Sequence, residues 1–127
     1  MNFEKVLFAF FILLALTLNF GFFLGDLGNP EQHHPYELFA ALVVSVIATI
    51  LKFGDRTPVG SVLLASSLVA DLQLLAAALV WGIVVHGTVS EASPEIIASI
   101  VSLSGGALLA NIVSVVLLIM ETFAARR

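Results

Sequence analysis

The chain reads as an all-α integral membrane four-helix bundle, and three features of its sequence predict this. Only 11% of residues are charged and 60% are hydrophobic, whereas a soluble domain averages about 25% charged residues. The apolar residues gather into four runs, at about 6–24, 36–53, 58–86 and 95–122, each near or above the ~20 residues that cross a bilayer as a helix. Proline stands at or just before the start of three runs, as Pro35, Pro58 and Pro94, where its missing N–H leaves no helical bond unmade. Residues 1–127 are expected to form one transmembrane domain.

The first run holds seven of the ten phenylalanines (Phe3, Phe8, Phe10, Phe11, Phe20, Phe22 and Phe23, counting Phe3 just ahead of it). Aromatics on every side of a helix predict broad lipid contact and a peripheral place. No small-residue cleavage pattern follows it, since Leu24-Gly25-Asp26-Leu27 fits poorly, so a retained helix is expected rather than a signal peptide. Gly25 or Gly28 suits its end. The second run, Tyr36 to Phe53, spans about 27 Å as a helix, just enough to cross, and Gly54 suits its C-terminal cap. Thr57 and Ser93 precede prolines as N-caps of the third and fourth runs. Those runs, of 29 and 28 residues, are long enough to tilt. Short connections between four spans predict an up-down-up-down arrangement.

Charge sets the expected orientation. All five basic residues (Lys5, Lys52, Arg56, Arg126, Arg127) lie at the N-terminus, in the second loop or at the C-terminus. The first and third loops carry acids without Lys or Arg, so the positive-inside rule makes both termini cytoplasmic. The chain has no cysteine, which removes disulfides and thiolate metal sites. A net charge of −4 with no basic patch excludes nucleic acid as a partner. His33 and His34 sit in an acidic outer loop and read as a solvated cap rather than a metal site. No histidine lies deep in a span, which argues against haem, and no cofactor is expected. Without a nucleophile–base pair, a phosphate loop or a zincin motif, an enzyme is not expected.

Asp71 is the only charge between Pro58 and His86 and falls near the middle of that run. A carboxylate at the bilayer centre costs at least about 2.5–3.5 kcal/mol, so it is kept where something offsets that cost. At 100° per residue it shares a stripe with Gly60, Ser67, Ala78 and Gly82, small residues that let another helix approach. Gln73 lies nearly opposite, where it could bridge to a neighbouring subunit. Counting depth along the runs sets Asn19, Asp71 and Asn111 at one level, and with Ser45, near the centre of its run, and Ser104 they are inferred to form one polar layer, with Asp71 bonded to Asn111 or Ser104 in its structural reading. These five and Ser67 are the candidate ion path. Gly21, Gly25, Gly60, Ala78, Gly82 and Gly106 are the candidate helix-packing positions.

Three stretches resemble a family of uncharacterised bacterial inner-membrane proteins, a domain of unknown function. They are Phe10 to Phe23 (FFILLALTLNFGFF), His33 to Ala41 (HHPYELFAA) and Leu51 to Trp81, with its KFGDRTPVG and SLVADLQLLAAALVW. The resemblance implies a bacterial plasma membrane location but no activity. In size the chain is similar to small multidrug transporters and fluoride channels, yet its first apolar run lacks the acid that the former carry there. The expected function is therefore a homo-oligomeric channel or transporter for a small inorganic cation, working through Asp71. The alternative is an accessory or scaffold subunit of a larger membrane complex. A weaker third reading is a proton-coupled exporter of organic cations.

Overall fold

A computed structural model describes residues 3–24, 35–55, 57–86 and 94–125. They form four helices: α1 (Phe3–Phe23), α2 (Pro35–Lys52), α3 (Pro58–His86) and α4 (Pro94–Ala125). Compared with the apolar runs, α1 begins three residues earlier and α4 ends three later. The reason is that a polar residue is tolerated in a terminal turn, as Glu4 is in α1, and that Phe123, Ala124 and Ala125 continue α4 past Thr122. Among the described residues, three helical stretches are long and apolar enough to cross a membrane: Phe3–Phe23, Pro58–Val84 and Pro94–Ala124.

Side-chain pairings establish antiparallel neighbours. Between α1 and α4, Lys5 meets Glu121 while Asn19 meets Ser104. Between α3 and α4, Ser66 meets Ser114 while Gln73 abuts Gly106. Between α1 and α2, Phe8 lies under Lys52 while Gly21 faces Glu37. With α2 also packed on α3, the helices close a ring, each touching its neighbours in sequence and α1 touching α4. The phenylalanines do not push α1 to the periphery as expected. Phe8 and Phe22 are fully enclosed, while Phe3, Phe10 and Phe20 face outward, so α1 has an inner side like the others.

The core has two apolar tiers. At the end where the α2–α3 turn lies, Phe8, Ile12, Ala48, Leu63 and Leu118 pack together. The opposite tier holds Phe22, Leu38, Leu74, Ile97, Ile100 and Val101 with several alanines. Every helix carries polar residues between its contributions to the two tiers: Asn19 on α1, Ser45 on α2, Ser66 and Ser67 on α3, and Asn111 and Ser114 on α4. Small side chains bring the backbones close, which is how helices associate where lipid is as apolar as the protein.

The turn between α2 and α3 has a built geometry. Gly54 takes φ +96°, the left-handed conformation that ends a helix and that a side chain would strain. Thr57 caps α3, its hydroxyl accepting the Gly60 N–H at 2.9 Å. Asp55 accepts the Thr57 hydroxyl at 2.7 Å and the Thr57 N–H at 3.0 Å, and Lys52 donates to it at 3.3 Å. Gly60 leaves room for that carboxylate, which a Cβ there would strike. The two Thr57 bonds hold the Asp55 carboxyl below its ordinary value of 3.8; partial burial opposes them and Lys52 adds to them. A lowered value stabilises the fold in full above pH 3.8 and is lost as pH falls through the lower folded value. Asp55→Asn is expected to lower the melting temperature at neutral pH and to flatten the acid limb, read from melting curves across the acid range.

Candidate functional site

Asp71 projects from α3 onto the seam with α2. Both carboxylate oxygens are held there: Ser45 donates to Oδ1 at 2.6 Å and Thr49 donates to Oδ2 at 2.5 Å. Ser45 and Thr49 are one turn apart, so successive turns of α2 present both hydroxyls to one carboxylate. Thr49 also lies 3.0 Å from the backbone carbonyl of Ser45.

The seam opens outward. Leu42, Val46, Leu68, Leu72 and Leu75 join Asp71 in lining a groove of about 240 Å³ between α2 and α3. Leu72 and Val46 are exposed, whereas Ser45 and Thr49 behind the carboxylate are buried. Asp71 is thus half-buried beside an apolar groove, with its oxygens turned to α2. A similar groove of about 350 Å³ between α1 and α4, lined by Leu16, Thr17, Phe20, Leu108 and Ile112, holds no charged group.

The expected ion-path residues fall into two groups. Ser45 and Asp71 meet, as do Ser104 and Asn19, the Ser104 hydroxyl donating to Asn19 Oδ1. Asn111 and Ser67 are fully buried, and no hydrogen-bond partner reaches the Asn111 amide or the Ser67 hydroxyl. Asp71 bonds to neither Asn111 nor Ser104 and stands apart from the interior layer. Ser66 and Ser114, 2.5 Å apart, belong to that layer. Thr49 belongs to the Asp71 site. Its spacing of four from Ser45 was the available signal, since residues so spaced share a face.

Among the packing positions, Gly21, Gly60 and Gly106 each face a side chain that a Cβ would strike: Glu37, Asp55 and Gln73 respectively. Ala78 is buried. Gly82 departs from the expectation, for a Cβ there would meet nothing within 4 Å. Gly105 fills the role instead, 2.7 Å at its Cβ position from the Phe23 ring. Gly25, His33 and His34 lie outside the described residues. Gln73 does not reach toward a neighbouring subunit but packs within the chain against Gly106.

A second polar site closes the end where the α2–α3 turn lies. A cavity of about 320 Å³ is lined by Glu4, Lys5, Lys52, Asp55 and Glu121 with the turn itself. Lys5 pairs with Glu121 at 3.2 Å, and Lys52 stands 4.5 Å from the Phe8 ring centre. Burial of the Lys52 side chain is offset by Asp55 and by the negative face of that ring. Among the described residues, no three His, Cys, Asp or Glu side chains gather as a metal site.

Residues 32–122 match DUF6394, a family of unknown function. The chain belongs to that family. The DUF6394 match takes in α2, α3 and nearly all of α4, so the Asp71–Ser45–Thr49 cluster lies wholly inside it. Of the three stretches that carry the sequence resemblance, His33 to Ala41 and Leu51 to Trp81 fall within the match and Phe10 to Phe23 falls before it. No curated protein and no solved structure matches this DUF6394 chain.

Proposed function

We propose that this protein is a multi-pass plasma-membrane protein of bacteria, with both termini cytoplasmic, that assembles as a homo-oligomer and passes a small inorganic cation along Asp71. One observation carries the reading: the carboxylate lies on an outward seam between α2 and α3 rather than on the bundle axis. The interior is filled, with Ala15, Ala41, Ala70 and Ala107 all fully buried. A single protomer therefore leaves no room for an ion path. A closed ring of protomers joined with their α2–α3 seams toward a common axis would gather one Asp71 from each, and rings of carboxylates select cations.

Cation flux into liposomes holding the purified protein tests this. Wild type is expected to conduct, and Asp71→Asn to lower the flux by about tenfold or more, the loss of a charge worth at least 1.4 kcal/mol to the passing ion. Unchanged flux in the variant would remove Asp71 from the path, and a stable monomer in detergent would remove the pore.

A second reading is a non-enzymatic accessory subunit. The apolar lining of the same groove favours it, because Leu42, Val46, Leu68, Leu72 and Leu75 suit a helix of another membrane protein bearing a polar side chain for Asp71. Wild-type silence in liposomes is the outcome that selects it.

A further inference from the structure

We propose that Ser67 and Asn111 hold at least one ordered water molecule inside the bundle. This site is separate from Asp71 and independent of what the α2–α3 seam does.

Angular position turns both side chains inward. On α3, Ser66 faces α4, where it meets Ser114, and Asp71 faces α2. Counting round the helix, Ser67 lies about 100° from Ser66 and about 40° from Asp71, between the two neighbours. On α4, Ser114 faces α3 and Ser104 faces α1. Asn111 lies about 60° from Ser114 and about 20° from Ser104, again between two neighbours. Both Ser67 and Asn111 are fully buried.

Height brings them together. The two helices run antiparallel, and Ser66 and Ser114 stand 2.5 Å apart. From that pair Ser67 and Asn111 lie in the same direction along the axis, about 1.5 and 4.5 Å away, so their levels differ by less than one turn. The Lys5–Glu121 and Asn19–Ser104 pairs set Ala15 of α1 near the level of Asn111, and Phe8 beneath Lys52 sets Ala48 of α2 there. Ala15 and Ala48 are fully buried and bring only methyl groups, so bulk does not crowd the polar atoms.

Chemistry then names the ligand. Among the described residues, no hydrogen bond reaches Ser67 Oγ, Asn111 Oδ1 or Asn111 Nδ2. A membrane interior has no bulk solvent to meet them, and polar groups left unmade there are costly. Oδ1 needs a donor and Nδ2 an acceptor, while the hydroxyl serves as either. A cation would leave Nδ2 unmet, and an anion would leave Oδ1 unmet. Water both donates and accepts, and when buried it is held by about three such bonds. It also carries no charge into an apolar interior. One bridging molecule is not a through-path, in keeping with an interior too full for an ion.

The test uses the full chain, isotope-labelled, in nanodiscs, with water itself as the probe. Rotating-frame magnetisation transfer from water is read at the Asn111 side-chain amide, whose signal is assigned by its loss in Asn111→Leu. The sign of the transfer separates direct contact from hydrogen exchange. Wild type is expected to show direct contact at Asn111 and none at the backbone amide of Leu74, which lies in an apolar tier. Ser67→Ala is expected to keep the transfer, because the amide still holds the water. Ser67→Val is expected to lose it, because its methyl groups take the water's place. Helical circular dichroism confirms that each variant is folded.

No direct contact at Asn111 in folded wild type would overturn the proposal. So would loss of the transfer in Ser67→Ala, which would trace it to an exchanging hydroxyl. Persistence in folded Ser67→Val would do the same by putting the water elsewhere. If Ser67→Val fails to fold, wild type and Ser67→Ala decide.

Discussion

Ser45→Ala combined with Thr49→Val is expected to destabilise the bundle by about 2–4 kcal/mol, because it removes both donors from a carboxylate that has little water to replace them. Each of the two bonds reaches a different oxygen of Asp71, so neither hydroxyl can stand in for the other. Stranding one partner of a shielded polar pair costs more than the pair contributes, since the group left behind has lost its partner without regaining water. The triple variant that adds Asp71→Leu should recover most of the loss, its side chain joining Leu68, Leu72 and Leu75 along the same groove. Denaturant unfolding in mixed micelles reads all three stabilities. A double variant as stable as wild type would mean that the carboxylate is held by something other than α2.

Ala107→Leu is expected to be the most damaging change on α4. Ala107 is fully buried among the alanines that let the helices approach. Three extra carbons in a close-packed interior cost about 1–3 kcal/mol through forced rotamers and backbone shifts. Its near neighbour Leu109 is 65% exposed, and Leu109→Ala should change stability by no more than about 0.5 kcal/mol. A lowered melting temperature in the first variant beside a normal melting curve in the second is the expected contrast. Equal behaviour of the two would contradict the interior packing.

The helices were legible because apolar runs and prolines are local signals, and the Thr57 cap and the Gly54 turn follow from the same local chemistry. Depth was legible only in part: counting along the runs set Asn19 level with Asn111, whereas Asn19 meets Ser104, two turns from Asn111 on α4, and Asn111 has no hydrogen-bond partner among the described residues. What the stripe on α3 could not resolve was the seam that Asp71 enters. Asp71 lies about 40° around the helix from Ser67, enough that Ser67 faces the interior while Asp71 turns to α2. Periodicity groups such residues on one face, and only the position of the next helix divides them. Gln73 was misplaced for the same reason. Its amide has a place inside the chain because α4 has no side chain at Gly106, which no pattern within α3 reveals. Gly82 shows the converse, a small residue at the right spacing with nothing approaching it.

The alternation of oily and hydrogen-bonding storeys along all four helices has a consequence for sliding. Moving α4 by one turn past α1 would set Ser104 beside Phe22 or Ala15 rather than Asn19, and would leave an amide facing hydrocarbon. A bundle of uniform leucines tolerates such slippage, whereas this one is keyed to a single vertical alignment. Whatever movement accompanies its work is therefore expected to be rocking or rotation of helices rather than a piston stroke.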